Sequence, residues 1–580
     1  MTYDLIIRGG SIIDGTGAPR FIGDIAVKGG RIARIGKVEG RGDKELDATG
    51  LIVAPGVIDL HAHYDAQLHW DPYCTASGWH GTTTCMISNC GFGFAPVRPG
   101  MADRYMRMME NTEQVPYDAM ARTMPWTWET FPEWLDHLRS LPKGVNIASY
   151  LPVNPLLSYV IGPDEAKTRP ATAAERAEMR RIMHEAMDAG AAGFAFSHLG
   201  AEGNSHVDHD QSPMPSDVMA AEEAYNLADV LRERGEGVIQ TLVELPGMAD
   251  PPRKIVEELA RRSGRPVLHN ILVASGINPE QHRSVLRWLD EMAAEGLEVW
   301  SQGATFRKPL EITPMHYNNW DAIPIFRALS AAHTREEKVA LVRSADYRER
   351  FEREYDAGRM WEVGGPLEVY VLMEAGPAKA FEPFIDKPLA EIAQQTGRST
   401  PGVFLDLLEQ SNMEALVLSP VAGSPDYNAV AEIVRHPRVL PGISDGGAHS
   451  KHGNGGFWST DMILMMHRES QLFSLEELHA ALSARSAQAA RLRDRGTLTV
   501  GAFADIMVYD IERLNYDPPL RYEVLHDLPG GDWRKVKRAV GIRYTIVNGD
   551  VTFVDGECTG AVPGVIVDHQ SRTGTLRAAE

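Results

Sequence analysis

Ile52-Val53-Ala54-Pro55-Gly56-Val57-Ile58-Asp59-Leu60-His61-Ala62-His63 is an apolar strand that ends in His-x-His. Alternate residues of a strand point to the same side, so His61 and His63 can turn two imidazoles onto one metal ion. On a surface strand the spacing would mean little. At the end of a buried strand it marks the place where parallel α/β folds keep their active sites, and a metal centre is the preferred reading.

On either side of this stretch the chain changes its pattern. Before it come short strands broken by glycine turns: Leu5-Ile6-Ile7-Arg8, Ile25-Ala26-Val27 and Ile32-Ala33-Arg34-Ile35. The far end returns to the same pattern with Ala504 to Tyr509 and with Tyr544-Thr545-Ile546-Val547 before Asn548-Gly549, a hairpin signal. In between, helices alternate with buried strands. Ala173 to Ala189 carries Met179, Ile182, Met183 and Ala186 at helical spacing, stops at Gly190 and leads into Ala191 to Phe196. Asp217 to Arg234 leads likewise into Val238 to Leu242, and Ile255 to Arg262 into Pro266-Val267-Leu268-His269. Ser474 and Glu477 form a capping box that opens a helix running to Ala490. Such units predict an α/β fold, a (β/α)8 TIM-type barrel over residues 56–490. The two ends, 1–55 and 491–580, are expected to meet in one small β-sandwich domain. The charged, aromatic stretch at about 304–374 breaks the rhythm and reads either as a lid over the active site or as a helical elaboration of the barrel's outside.

Composition excludes several classes of function. Of 580 residues 43% are apolar and 24% charged, ordinary globular usage rather than that of a disordered chain. With 58 Lys and Arg against 79 Asp and Glu, the net charge of −21 opposes binding to nucleic acid or to an anionic membrane. No uncharged apolar run approaches the ~20 residues that cross a bilayer. The four cysteines, Cys74, Cys85, Cys90 and Cys558, have no disulfide spacing, and Met1-Thr2-Tyr3-Asp4 is no charged leader, so a soluble cytoplasmic protein is expected.

The run Pro55-Gly56-Val57-Ile58-Asp59-Leu60-His61-Ala62-His63 resembles the first-strand signature of the amidohydrolase superfamily. Gly81-Thr82-Thr83-Thr84 and Ser88-Asn89-Cys90-Gly91 resemble its N-acyl-D-amino-acid deacylase (D-aminoacylase) branch, in which a Cys replaces the carboxylated Lys that bridges metals in many relatives. Ile443-Ser444-Asp445-Gly446 is similar to the last-strand motif that carries the catalytic Asp, and Gly496 to Ile506 to the return into the small β domain. These landmarks run in the family's order from near residue 1 to about 555.

The resemblance implies one or two Zn2+ ions held by His61, His63, Cys90, His269 and Asp445. Cys90 has a physical case too, because a thiolate beside a divalent cation is deprotonated and ligates it strongly; buried apolar packing suits Cys74, Cys85 and Cys558 better. Family ligands on the fifth and sixth strands are histidines. His269 fits the sixth, whereas Gln240 stands where the fifth should carry one, and amides are poor zinc ligands beside imidazole. His198 is the nearest substitute, although contact with substrate or an ordinary hydrogen bond is its preferred role. His206, His209, His449 and His452 read as solvated loop residues, some touching substrate. Lys451 is the candidate for a substrate carboxylate.

The expected function is therefore zinc-dependent hydrolysis of a C–N bond in a small-molecule amide, an N-acyl-D-amino acid first among them, with Asp445 as base and then acid. A cyclic amide, imide or carbamate hydrolase is the alternative enzyme, and an inactive binding protein on the same fold the alternative class. The partner is the small molecule, with a homo-oligomer compatible with the sequence.

Overall fold

The computed structural model describes residues 2–201, 206–244, 251–274, 279–317, 319–332, 334–360, 364–419, 426–518 and 521–568. Eight parallel strands organise it: β1 (Val57–Asp59), β2 (Thr82–Ile87), β3 (Asn146–Ser149, resumed at Leu151–Pro152), β4 (Gly193–Ser197), β5 (Val238–Leu242), β6 (Val267–Val273), β7 (Val299–Ala304) and β8 (Val439–Gly442). β2 pairs with β1 and β3, and from Leu151–Pro152 the order runs β4, β5, β6, β7, β8. Past the ends of β1 and β8, Ala62 and Gly446 form a parallel bridge, and Asp445 donates its N–H to the His61 carbonyl at 3.2 Å.

These strands are buried on both faces, as parallel strands are. Ile58, Met86, Ala148, Ala195, Val238, Leu268, Trp300 and Leu440 form one apolar cluster with a residue from each strand. Their neighbours on the opposite face, including Phe194, Phe196, Ile239, Val267 and Val299, pack beneath the helices in the main core. Each such side chain contributes ~1.5–3 kcal/mol through burial.

The helices begin and end on the signals in the sequence. Ala173–Ala189 opens on the Thr172–Glu175 capping box and stops at Gly190, whose φ of 109° lets the chain turn left-handed. The helix expected from Asp217 is divided in two, Pro215–Val218 and Ala221–Arg234.

The excursion between β7 and β8 is longer than the 304–374 expected. It carries the helices Pro324–Ala331, Arg335–Arg343, Ala345–Glu354, Leu389–Thr396 and Thr400–Gln410. Its three strands, Leu310–Ile312, Val371–Glu374 and Leu416–Ser419, form an antiparallel sheet. A separate core of Leu310 to Val417 holds it together. The regular helix before β8, Tyr427–Arg435, follows only then.

Both chain ends enter one nine-stranded sheet, in which Ile506–Tyr509 lies between Ile52–Pro55 and Ile542–Val547. Asn548 and Gly549 turn the hairpin between Ile542–Val547 and Asp550–Val554 with φ of 47° and 87°, as the Asn-Gly pair predicts. The C-terminal stretch is not confined to that sheet. Its short strands Glu523–Leu525 and Arg534–Val536 reach the loop after β8, where Lys535 donates its N–H to Ser450. Further on, Ile566 bridges to Ile147 of β3.

Candidate metal centre

At the ends of the parallel strands a layer of polar side chains stands above the apolar cluster. His61, His63 and Cys90 are buried there with donor atoms within 4.8 Å of one another, and His61 Nε2 is 3.6 Å from Cys90 Sγ and 3.5 Å from Asp445 Oδ1. His63 donates its backbone N–H to Gly446, and Gly447, at φ 90°, passes so near that a Cβ would lie 2.6 Å from the His63 carbonyl. Cys90 sits in a turn with φ of 63° at Ser88 and 54° at Cys90, anchored by Ser88 Oγ on Asp65. Asp445 is likewise left-handed, at φ 47°, as sites that aim a side chain often are.

Strand alternation decides which residues join this layer. Gln240, Asn270 and Gln302 lie two residues beyond the inward-facing Val238, Leu268 and Trp300 and share their face. Gln240 accepts the Cys90 N–H at 2.6 Å. Gln302 Oε1 is 3.1 Å from His61 Nδ1, and the Asn270 amide is 2.7 Å from the same nitrogen. Gln302 Oε1 can only accept, from Nδ1–H, which leaves Nε2 as the lone-pair donor facing Cys90, whereas Asn270 turns its Nδ2, a donor, to the same nitrogen.

His269, expected among the ligands, lies outside the His61–His63–Cys90 group. Its ring faces outward, edge-on to Trp288 at 5.3 Å, with Nδ1 3.3 Å from Ser301 Oγ and Nε2 3.5 Å from Glu244. The inward place on β6 belongs to Asn270, as that on β5 belongs to Gln240, so neither strand offers an imidazole. Lys451, the candidate for a substrate carboxylate, binds Asp532 at 2.5 Å and the Trp533 carbonyl at 2.7 Å, fastening the C-terminal segment. His198 turns Nδ1 onto the Ser216 carbonyl at 2.9 Å, and His209 leans on Asp208, which Arg104 and Lys167 neutralise.

His449 and His452, read as solvated, are enclosed, with rings 4.8 Å apart and Tyr317 edge-on to His452 at 5.0 Å. His206 meets Phe92 edge-on at 5.1 Å. Two residues that the sequence reading missed complete the surroundings. Lys308 Nζ lies 3.3 Å from Asp445 Oδ2. Glu113, closing the helix Ala102–Glu113, stands 3.7 Å from His63 Nε2 and 3.8 Å from His449 Nε2. Chain order gave no signal for either.

Electrostatics follow burial and neighbours. Burial works to raise the Asp445 carboxyl, but Lys308, His61 and His449 outweigh it and hold it well below the ordinary carboxylate range. Burial pushes His63 down to about 3 and, with the Asp445 charge, Glu113 well up. It also drives the Cys90 thiol up, against the Gln240 amide. A cation among these groups would reverse the logic for Cys90, since coordination deprotonates a thiol. Two imidazoles, a thiol and a nearby carboxylate suit one borderline-soft divalent ion.

The sequence matches the Amidohydrolase family over residues 44–363 and 401–553. N-acyl-D-glutamate deacylase of Alcaligenes xylosoxydans xylosoxydans is 26% identical over 563 residues, which cover 95% of this chain and 93% of that protein. Among solved structures, a D-aminoacylase with a binuclear metal centre is similar at a TM-score of 0.63 and 22% identity, covering 98% of this chain and 100% of the other. N-acyl-D-glutamate deacylase from Bordetella bronchiseptica, complexed with zinc and a phosphonate inhibitor, gives 0.64 and 23% with the same coverage. At these identities the structural likeness speaks for the fold.

Proposed function

As the chain belongs to the amidohydrolase family, in its D-aminoacylase branch, we propose that it hydrolyses the amide of an N-acyl-D-amino acid at a zinc centre held by His61, His63 and Cys90 with Asp445 beside them. The observation that carries this reading is the convergence of His61, His63 and Cys90 within 4.8 Å, with Asp445 Oδ1 3.5 Å from His61. Nitrogen and sulfur donors favour zinc among the common divalent ions. The deacylase relatives supply the substrate class.

His61, His63 and Cys90 would hold a divalent ion there, which would supply polarisation of the amide carbonyl and a more acidic water. Asp445 takes the proton from the attacking water and returns it to the leaving nitrogen. Lys308 and His449, 3.3 Å and 3.7 Å from Oδ2, hold that carboxylate in place and ionised. Gln302 and Asn270 hold the ring of His61 through Nδ1, and Gln240 fixes the Cys90 backbone.

The eight parallel strands with the Ala62–Gly446 bridge support a closed (β/α)8 barrel over about 56–490. The nine-stranded sheet shared by both chain ends supports a small β domain beside it. All four cysteines are thiols, in keeping with a reducing cytoplasm.

The test is hydrolysis of matched N-acyl-D- and N-acyl-L-amino acids by zinc-loaded and chelator-treated protein. Release of D-amino acid that chelation abolishes and zinc restores is expected; equal turnover with and without metal would overturn the reading.

A further inference from the structure

Solvent reaches the centre on the side of Asp445. The side chains of His61, His63 and Glu113, and Cys90 as a whole, are 1–3% exposed, whereas those of Asp445, Lys308 and His449 are 19%, 17% and 12% exposed. Asp445 turns Oδ1 to His61 at 3.5 Å and Oδ2 to Lys308 Nζ at 3.3 Å, so the ammonium stands by the oxygen on the open side. A substrate that approaches Asp445 from solvent meets Lys308.

The backbone beside Lys308 is fixed. Arg307 donates its own N–H to Asp461 at 2.6 Å, and its guanidinium binds Asp461 at 2.9 Å and Glu469 at 2.8 Å. Other cations around the centre are engaged by acids of their own: Lys451 by Asp532, Lys535 by Glu311 and Arg104 by Asp208. Lys308 is shared with Asp445, and its charge is felt at His61, His63, His449 and His452. His452, 1% exposed, stands 4.8 Å from the His449 ring with neither of its nitrogens partnered. A neutral imidazole carries one N–H, so this wall also holds a donor that no protein group takes up.

A carboxyl group that returns a proton to a leaving nitrogen must come within ~2.6–3.2 Å of it. In an N-acylated amino acid the carboxylate carbon is two bonds from that nitrogen, about 2.5 Å away. A substrate placed for proton return at Asp445 therefore carries its carboxylate to the ammonium beside Asp445. Lys308 gives one N–H to Asp445 and keeps two for a second carboxylate.

We propose that Lys308 anchors the carboxylate of the substrate, with His452 in the same wall, so that the site selects amides that carry an anion next to the leaving nitrogen. The role expected of Lys451 falls to Lys308. The proposal rests on the deacylase reading and adds to it the residue that sets specificity.

Two ligands that cannot be hydrolysed separate the anchor from turnover: 4-oxopentanoate, in which a methylene replaces the N–H of N-acetylglycine, and its uncharged carboxamide. Calorimetry on the zinc-loaded, full-length protein should show the acid bound about 10–100-fold more tightly than the carboxamide by the wild type and by Lys308→Arg. Lys308→Met should bind the two alike. The KM for N-acetyl-D-alanine should rise by a similar factor in Lys308→Met, with a smaller change in kcat. An acid preference that survives in Lys308→Met, or is absent from the wild type, would overturn the proposal. So would a fall in kcat at unchanged KM, the result for a residue that serves Asp445 alone. A wild type that prefers the acid through Lys308 but hydrolyses no N-acyl amino acid keeps the anchor and loses the deacylase reading. Hydrolysis of N-acetyl-D-alanine and its carboxamide at equal KM keeps that reading and loses the anchor.

Discussion

Asn270 brings its side-chain amide within 2.7 Å of His61 Nδ1, while His269, one residue earlier on the same strand, faces Trp288 on the other side. Metal affinity should follow the inward residue. Asn270→Ala removes a hydrogen bond that orients a ligand and is expected to weaken metal binding by about 10–100-fold. His269→Ala should leave affinity unchanged and lower stability by ~2 kcal/mol, as for other buried truncations. Competition with a chelating dye, together with urea unfolding, separates the two effects.

Replacing His61 and His63 together by Ala should abolish stoichiometric metal. Elemental analysis of the folded variant checks this, and retention of the wild-type metal content would refute the ligand assignment.

Asp445→Asn keeps the shape of the side chain but cannot take up a proton at neutral pH. A fall in kcat of about 10²-fold or more is expected, with KM much less affected, provided metal content is verified in the same sample. Near-normal kcat would send the search for the base elsewhere.

The buried pair formed by Glu311 and Lys535, 3.1 Å apart, joins the excursion to the C-terminal segment, and Arg521 binds the same carboxylate at 2.8 Å. Glu311→Ala strands a buried ammonium. A loss of ~3–5 kcal/mol is expected from denaturant unfolding, and Lys535→Met in the Glu311→Ala background should recover part of it.

His80 gives a pH dependence whose sign can be fixed. Its nitrogens face Thr460 Oγ1 at 2.8 Å and the Lys537 carbonyl at 2.9 Å, and burial lowers its pKa from 6.5 to about 4. The unfolded chain therefore takes up a proton that the folded one refuses. The contribution is fully present above about pH 6.5 and is lost as pH falls toward 4, by roughly 3 kcal/mol at the ordinary conversion of pKa shift to free energy. Urea midpoints at pH 7.5 and 5 should differ less in His80→Gln than in the wild type; an equal difference would discount His80.

The capped helix Ala173–Ala189, the Asn548-Gly549 hairpin and the His61-x-His63 strand end were legible because each rests on a local signal, a cap, a turn or a two-residue period. The face of β6 was not. A parallel strand buried on both sides has no apolar-polar alternation to separate inward from outward, so a histidine beside an asparagine cannot be oriented from sequence, and a one-residue error reverses the face. Lys308 and Glu113 were hidden for another reason. They reach Asp445 and His63 through tertiary packing alone, from an excursion and a helix end with no motif of their own. Lys451 misled because a cation close to Asp445 in sequence is turned away by Asp532 in space.

The strand Ile506–Tyr509 between Ile52–Pro55 and Ile542–Val547 bears on how the protein is made. On the ribosome, the leading strands emerge long before their partner does, and Ile52–Pro55 must wait with an unpaired edge while the whole barrel segment is translated. Such an edge invites association with other nascent chains. The delay falls on the four residues that lead directly into Val57–Asp59 and His61.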